Sequence, residues 1–134
     1  MTMTEYTVQH NPEEDLIRVE MRGEFNAQAQ NACTSALVQE IQRTACERIL
    51  IDHRQATPRL SLIEQYQRPE IAEKLGVPKT CQTAVVYLIQ HHDVYRFLET
   101  VARNNHLRTR IFLDEQEALA WLNEGTPPRS RGTF

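Results

Sequence analysis

Two short runs hold most of the side chains that could do chemistry in this chain: Asp52-His53-Arg54 and His91-His92-Asp93. Each follows an apolar run, Ile49-Leu50-Ile51 in one case and Ala84 to Ile89 in the other, so each is expected where a buried strand ends. Crevices at the carboxyl ends of strands are the usual ligand sites of open α/β sheets. In the first run Arg54 could hold an anion or polar ligand, with Asp52 orienting it. The competing reading is that Asp52 pairs with Arg54 or satisfies loop amides. In the second run, three ligand-type residues in succession suggest a metal. Adjacent residues at a helix start diverge, however, and there is no H-x-x-x-H or matching cysteine, so no metal is expected. The plainer reading is a capped helix start with two exposed imidazoles, and a pH-sensitive ligand contact stands between them. Asp52, Arg54, His91 and His92 are thus the candidate ligand-binding residues.

Nucleophilic chemistry has little to start from. Cys33 and Cys81 would need an activating histidine, and Cys33 lies in an apolar helical stripe where a small core residue is expected. No nucleophile elbow, Gly-rich phosphate loop or paired-carboxylate signature occurs, and there are only four glycines. No catalytic residue and no cofactor is expected. The three cysteines lack C-x-x-C spacing, which fits reduced thiols in a cytoplasmic protein. A net charge of -3 and a pI near 5.9 supply no basic field for nucleic acid. Met1 to Tyr6 does not read as a signal peptide, and no apolar run reaches membrane-spanning length.

The elements that must position these residues alternate along the chain. Tyr6 to His10 and Leu16 to Arg22 read as a hairpin across the turn Asn11-Pro12-Glu13-Glu14-Asp15, ended by Gly23. Asn26 is placed to cap a helix with a stripe of Ala29, Ala32, Cys33, Ala36, Leu37 and Ile41. The buried strand Arg48 to Asp52 follows, then a loop from His53 to Leu60. Ser61 and Glu64 form a capping-box pattern, starting a helix at Leu62 that Pro69 should kink or split, with a second piece running to Leu75 and Gly76 as its cap. Thr83 to Ile89 reads as a second buried strand, and Asp93 as the cap of a helix with a stripe of Val94, Phe97, Leu98, Val101 and Ala102. A last strand, Arg108 to Leu113, leads through Asp114 and Glu117, again in capping-box spacing, to a short helix carrying Trp121 and Leu122 that Gly125 ends. The expectation is one α/β domain over residues 1–125, built on a mixed, mostly parallel five-stranded sheet with about four helices, and a flexible tail over 126–134.

This order resembles the STAS fold of SpoIIAA-type anti-sigma factor antagonists. The closing segment Arg110 to Leu122, R-I-F-L-D-E-Q-E-A-L-A-W-L, is similar to the end of the SpoIIAA-like (STAS/SEC14-type) family of small bacterial proteins. Leu50-Ile51-Asp52-His53-Arg54 and Ala84-Val85-Val86 resemble two of its strands. The likeness spans roughly Tyr6 to Asn123 and rests on structural motifs, so it implies fold more than function. Partner-switching members carry a phosphorylatable serine in Asp-Ser-[Ser/Thr]-Gly. Here the matching stretch is H-R-Q-A-T-P-R-L-S, in which Thr57 and Ser61 are the only hydroxyls and Ser61 is spaced as a cap. The resulting expectation is a non-enzymatic binding module, regulatory or holding a small ligand, with the lipid-like option implied by the resemblance alone. A protein partner and homodimerisation are both expected possibilities. The alternatives are a small enzyme using His91 or His92 with Asp52 and Arg54, or a phosphorylation switch at Ser61 or Thr57.

Overall fold

Residues 4–124 are described by a computed structural model. Leu16, Ile17, Val19 and Met21 are buried along β2 (Leu16–Phe25), which pairs antiparallel with β1 (Glu5–Asn11). Asn11 organises the turn between them, its Oδ1 accepting from the Glu13 and Glu14 amides at 2.9 and 3.3 Å. The chain then alternates through α1 (Ala27–Thr44), β3 (Arg48–Pro58), α2 (Leu62–Leu75), β4 (Gln82–Val86), α3 (His92–Asn104), β5 (Arg108–Phe112) and α4 (Glu115–Glu124). The sheet runs in sequence order, β1-β2-β3-β4-β5, with every pair after the first parallel. This is the mixed, mostly parallel sheet with four helices that the sequence implies.

Period-two alternation gives the sheet two different faces. On one, Ile17, Val19, Met21 and Ile49 pack against Cys33, Leu37 and Ile41 of α1. On the other, Leu16, Leu50, Ala84, Val86 and Phe112 pack against Ala118 and Leu122 of α4. Asn26 Oδ1 accepts from the Ala29 amide at 2.9 Å to start α1, and the Ser61–Glu64 capping box starts α2 in both directions. Gly76 closes α2 at φ 112°, where a Cβ would lie 3.1 Å from Val38. No helix among the described residues is long and apolar enough to cross a membrane.

Several expected boundaries move. The stretch His53 to Pro58 is strand, not loop, because β2 also continues beyond Gly23 and pairs Gly23, Glu24 and Phe25 with Ala56, Thr57 and Pro58. Gly23, at φ 87°, sits inside β2 rather than ending it. Between Glu20 and Arg22 the register slips, leaving His53 and Arg54 of β3 opposite Met21, a β-bulge. Asp52, His53 and Arg54 therefore lie within a strand, not beyond its end. β4 stops at Val86, and Ile89 to His91 form a single 3-10 turn that leaves Ile89 exposed. Asp93 falls inside the first turn of α3, where His91 holds the cap position without a side-chain bond. Pro69 sits buried inside one continuous α2 rather than between two pieces. Asp114 does cap α4, accepting from the Gln116 amide at 2.8 Å. The expected stop at Gly125, and the tail beyond it, lie outside the described residues.

Candidate functional site

Alternation along β3 separates the sequence-predicted residues by face. Asp52 and Arg54 point to the α4 side. There Arg54 Nε and Nη2 donate to Asp52 Oδ1 and Oδ2 at 3.0 and 2.8 Å, and Nη2 also donates to Glu115 Oε1 at 2.8 Å. Arg18 completes the group, donating to both Glu115 oxygens at 3.1 and 2.8 Å and to Glu20 Oε2 at 3.2 Å. Its Nη2 also lies 3.6 Å from Asp52. Burial pushes the Asp52 carboxyl up, yet the Arg54 hydrogen bonds and the two guanidinium charges outweigh it and hold the group below its usual value. The hydrogen bond from Arg18 does the same for Glu115. These charges satisfy one another.

His53 points the other way. It is 6% exposed, and its Nδ1 lies 2.8 Å from the Tyr95 hydroxyl. Burial lowers its pKa to about 4, against a smaller upward pull from Asp52, so the ring is neutral near pH 7. A run of rings leads from it to the head of α3. Phe25, His53, Tyr95, Tyr87 and His92 have successive centroids 5.1, 5.6, 5.1 and 5.9 Å apart. At the far end the Tyr87 hydroxyl lies 2.6 Å from His92 Nδ1. Among the described residues, no hydrogen bond or ion pair joins His91 or His92 to Asp52 or Arg54. Ser61 is occupied as the α2 cap, and Thr57 pairs with Glu24 in the sheet. Burial raises the Cys33 thiol to about 11 and the Cys81 thiol to about 12, so both stay protonated.

A chamber of about 170 Å³ opens between this sheet face and helices α1, α2 and α3. Its floor is Ile51, Thr83, Val85, Thr109 and Ile111, and its walls include Leu37, Ala72, Val77, Leu98 and Leu107. His53 and Tyr95 stand at its edge, and Gln30, Thr34, Arg68 and Glu99 bring polar groups to an otherwise apolar lining. Arg68 is 6% exposed. Its Nη1 donates to Asn31 Oδ1 at 2.5 Å, whereas its Nε and the Gln30 Oε1 are buried without a partner.

The sequence reading misses Arg68, Gln30 and Tyr95. The first turns of α2 leave Leu62, Ile63 and Tyr66 exposed, while Gln65, Arg68 and Pro69 face inward. An inward arginine on such a helix marks a polar group held in the interior for a reason other than packing. His10, Asp15 and Cys46, distant in sequence, also bring one potential metal-ligand atom each within 4.8 Å of the others beside the hairpin. The Cys46 thiol there is raised by burial and directed at the Arg48 carbonyl, 3.6 Å away, so it keeps its proton.

No protein-family model matches the chain, and no curated protein matches it. Solved structures do. An uncharacterised protein of the DUF3478 family with a SpoIIAA-like fold, from Shewanella loihica, is similar at 16% identity and a TM-score of 0.55, over 91% of this chain and 95% of that one. An anti-sigma factor antagonist from Mycobacterium paratuberculosis is similar at 14% identity and a TM-score of 0.64, over 90% and 95%. The anti-sigma factor antagonist SpoIIAA in its unphosphorylated form is similar at 12% identity and a TM-score of 0.51, over 89% and 98%. At these identities the likeness establishes the fold, which is SpoIIAA-like, of the STAS type.

Proposed function

We propose that the chain is a non-enzymatic regulatory module that holds a small molecule in the chamber under α1–α3 and passes its occupancy to a protein partner in the cytoplasm. The chamber carries the reading: an apolar space with a few convergent polar groups, lined by three helices and the sheet, is the usual form of a ligand site. Its wall includes Tyr95 and Leu98 of α3, so an occupant that shifts α3 would also shift His91 and His92 at its head. These two histidines are the groups we assign to partner recognition, while Asp52 and Arg54, on the other face, are committed to one another and to Arg18 and Glu115. Two of the similar structures are anti-sigma factor antagonists, which supports a protein as the partner. The exposed edge strand β1 offers a route to a homodimer.

The enzyme alternative needs His91 or His92 to converge with Asp52 and Arg54. The pairing of His92 with Tyr87, and of Asp52 with Arg54, favours binding over catalysis. A phosphorylation switch at Ser61 would have to break the α2 capping box.

Native mass spectrometry of protein purified from its own host, followed by denaturation of the same sample, tests the chamber. The expected result is an added mass that is lost on denaturation. A bare mass under every native condition, with no chamber signal moved by any small apolar probe, would remove the ligand half of the proposal and leave the partner half. The charge-state series also reports monomer or dimer.

A further inference from the structure

We propose that the occupant of the chamber is a small monocarboxylic acid, with its carboxylate on Arg68 and an apolar body about the size of one benzene ring. This inference rests on the reading of the chamber as a ligand site and adds the ligand's chemistry. An arginine side chain stays protonated in proteins, so Arg68 places a full positive charge at the chamber wall. Among the described residues it has no carboxylate within ion-pair distance, Glu64 one turn earlier on α2 acting on it only from farther away, and its one hydrogen bond goes to the neutral amide of Asn31. A buried guanidinium beside apolar surface is costly unless an anion meets it with good geometry. Its Nε–H is buried without a partner.

A second polar group can be turned towards the same ligand. Gln30 also lines the chamber and its terminal oxygen is buried without a partner. The oxygen and nitrogen of a glutamine amide are assigned from their surroundings, and turning the amide presents an N–H to an oxyanion. Arg68 and Gln30 together then serve the two oxygens of one carboxylate.

The rest of the lining sets the charge and size of the ligand. Among the described residues, Arg68 is the sole lysine or arginine lining the chamber, while Glu99 puts a carboxylate on the wall, its Oε2 accepting from the Ile111 amide at 3.0 Å. One cation and one fixed anion favour a monoanion over a dicarboxylate. Val77, Val85, Leu98 and Ile111 leave the remainder apolar. A volume of about 170 Å³ compares with the roughly 150 Å³ cavity that accepts benzene. A ring or a short branched chain fills this space.

The test titrates the full chain with benzoate, 4-methylpentanoate, benzyl alcohol and phthalate, following the methyl NMR signals of Val77, Val85, Leu98 and Ile111. The expected result is that benzoate or 4-methylpentanoate binds about tenfold or more tightly than benzyl alcohol, and that phthalate binds more weakly than benzoate. Arg68→Met should remove that preference and leave benzyl alcohol binding unchanged. If Arg68→Met does not fold, the comparison of ligands on the unaltered chain decides alone. Benzyl alcohol binding as tightly as both acids would overturn the carboxylate assignment while leaving the chamber as a ligand site. No movement of these methyl signals with any of the four compounds would overturn both.

Discussion

On the α4 face of the sheet, Arg18 and Arg54 share the carboxylates of Asp52 and Glu115 at 2.8 to 3.6 Å, close to a core in which Leu50, Ala84 and Leu122 have no exposed surface. On the α1–α3 face, the more deeply buried Arg68 has only an amide oxygen for a partner, and the helices leave a chamber between themselves and the sheet. The same residue type thus has opposite settings. Charges that pair within the fold hold α4 and two strands in place and have little left to offer a ligand. A charge with no carboxylate in direct contact, beside an apolar space, is where an external group gains most. The face that looked chemically rich in sequence, with Asp52 and Arg54, is the self-satisfied one.

If the α4 face is the closed core, truncating it should cost the most. Leu122→Ala, at a site with no exposure, should lower unfolding stability by about 2–5 kcal/mol in urea titrations. Leu98→Ala, at the chamber wall, should cost clearly less because its surroundings are already open. Equal losses would mean that the two faces are equally well packed.

The next effect belongs to His53. Its folded pKa is near 4 and its ordinary value is 6.5. As pH falls through that window the unfolded chain takes up a proton that the folded chain refuses. Stability therefore decreases with falling pH between about 6.5 and 4, by something on the order of 3 kcal/mol, and the loss is complete below the folded pKa. Denaturation curves across pH 4–7 should show this slope, and His53→Gln should flatten it. The carboxylates Asp52 and Glu115, whose pKa values are lowered, act in the other window. Their stabilisation is present above the ordinary carboxylate range and is lost only as pH falls below it.

Glu115→Gln removes the shared partner of Arg18 and Arg54. Because these side chains are about a third exposed, the expected loss is only about 1 kcal/mol, and it should shrink further in high salt. A much larger loss, insensitive to salt, would mean that the network is more buried in effect than its exposure indicates. The smallest effect is expected on the outer face of α2. Leu62→Ser and Ile63→Ser, at 69% and 61% exposed, should change stability by no more than about 0.5 kcal/mol. A large loss at either would show that α2 is covered in solution by a partner or a second copy.

Much of the architecture was legible because it is written in local patterns. The alternation in Leu16 to Met21, the Ser61–Glu64 capping box and the αL cap at Gly76 each act within a few residues, and the structure has all three. The boundaries that moved depend on partners. His53 to Pro58 contains charged and polar residues and a proline, which reads as loop until β2 supplies a neighbour in register out to Phe25. The end of β4 at Val86 was likewise hidden, because Leu88 and Ile89 are as apolar as a strand but leave the ladder for a 3-10 turn.

The candidate site shows the same division. The sequence by itself determined the element order, the caps at Asn26, Ser61, Gly76 and Asp114, the two apolar sheet strands and the presence of Asp52, His53 and Arg54 in succession, since propensity, periodicity and capping are set by near neighbours. Only the tertiary structure decided what those three residues meet. Alternation carried on from Ile49, Leu50 and Ile51 turns Asp52 and Arg54 to the side that α4 covers and His53 to the side of Tyr95, 42 residues away. The tertiary structure also decided that Arg68 is inside. An arginine on an isolated helix belongs in water, and it is the docking of α2 onto α1 and α3, with Leu62, Ile63 and Tyr66 turned outward, that buries this charge beside an apolar chamber.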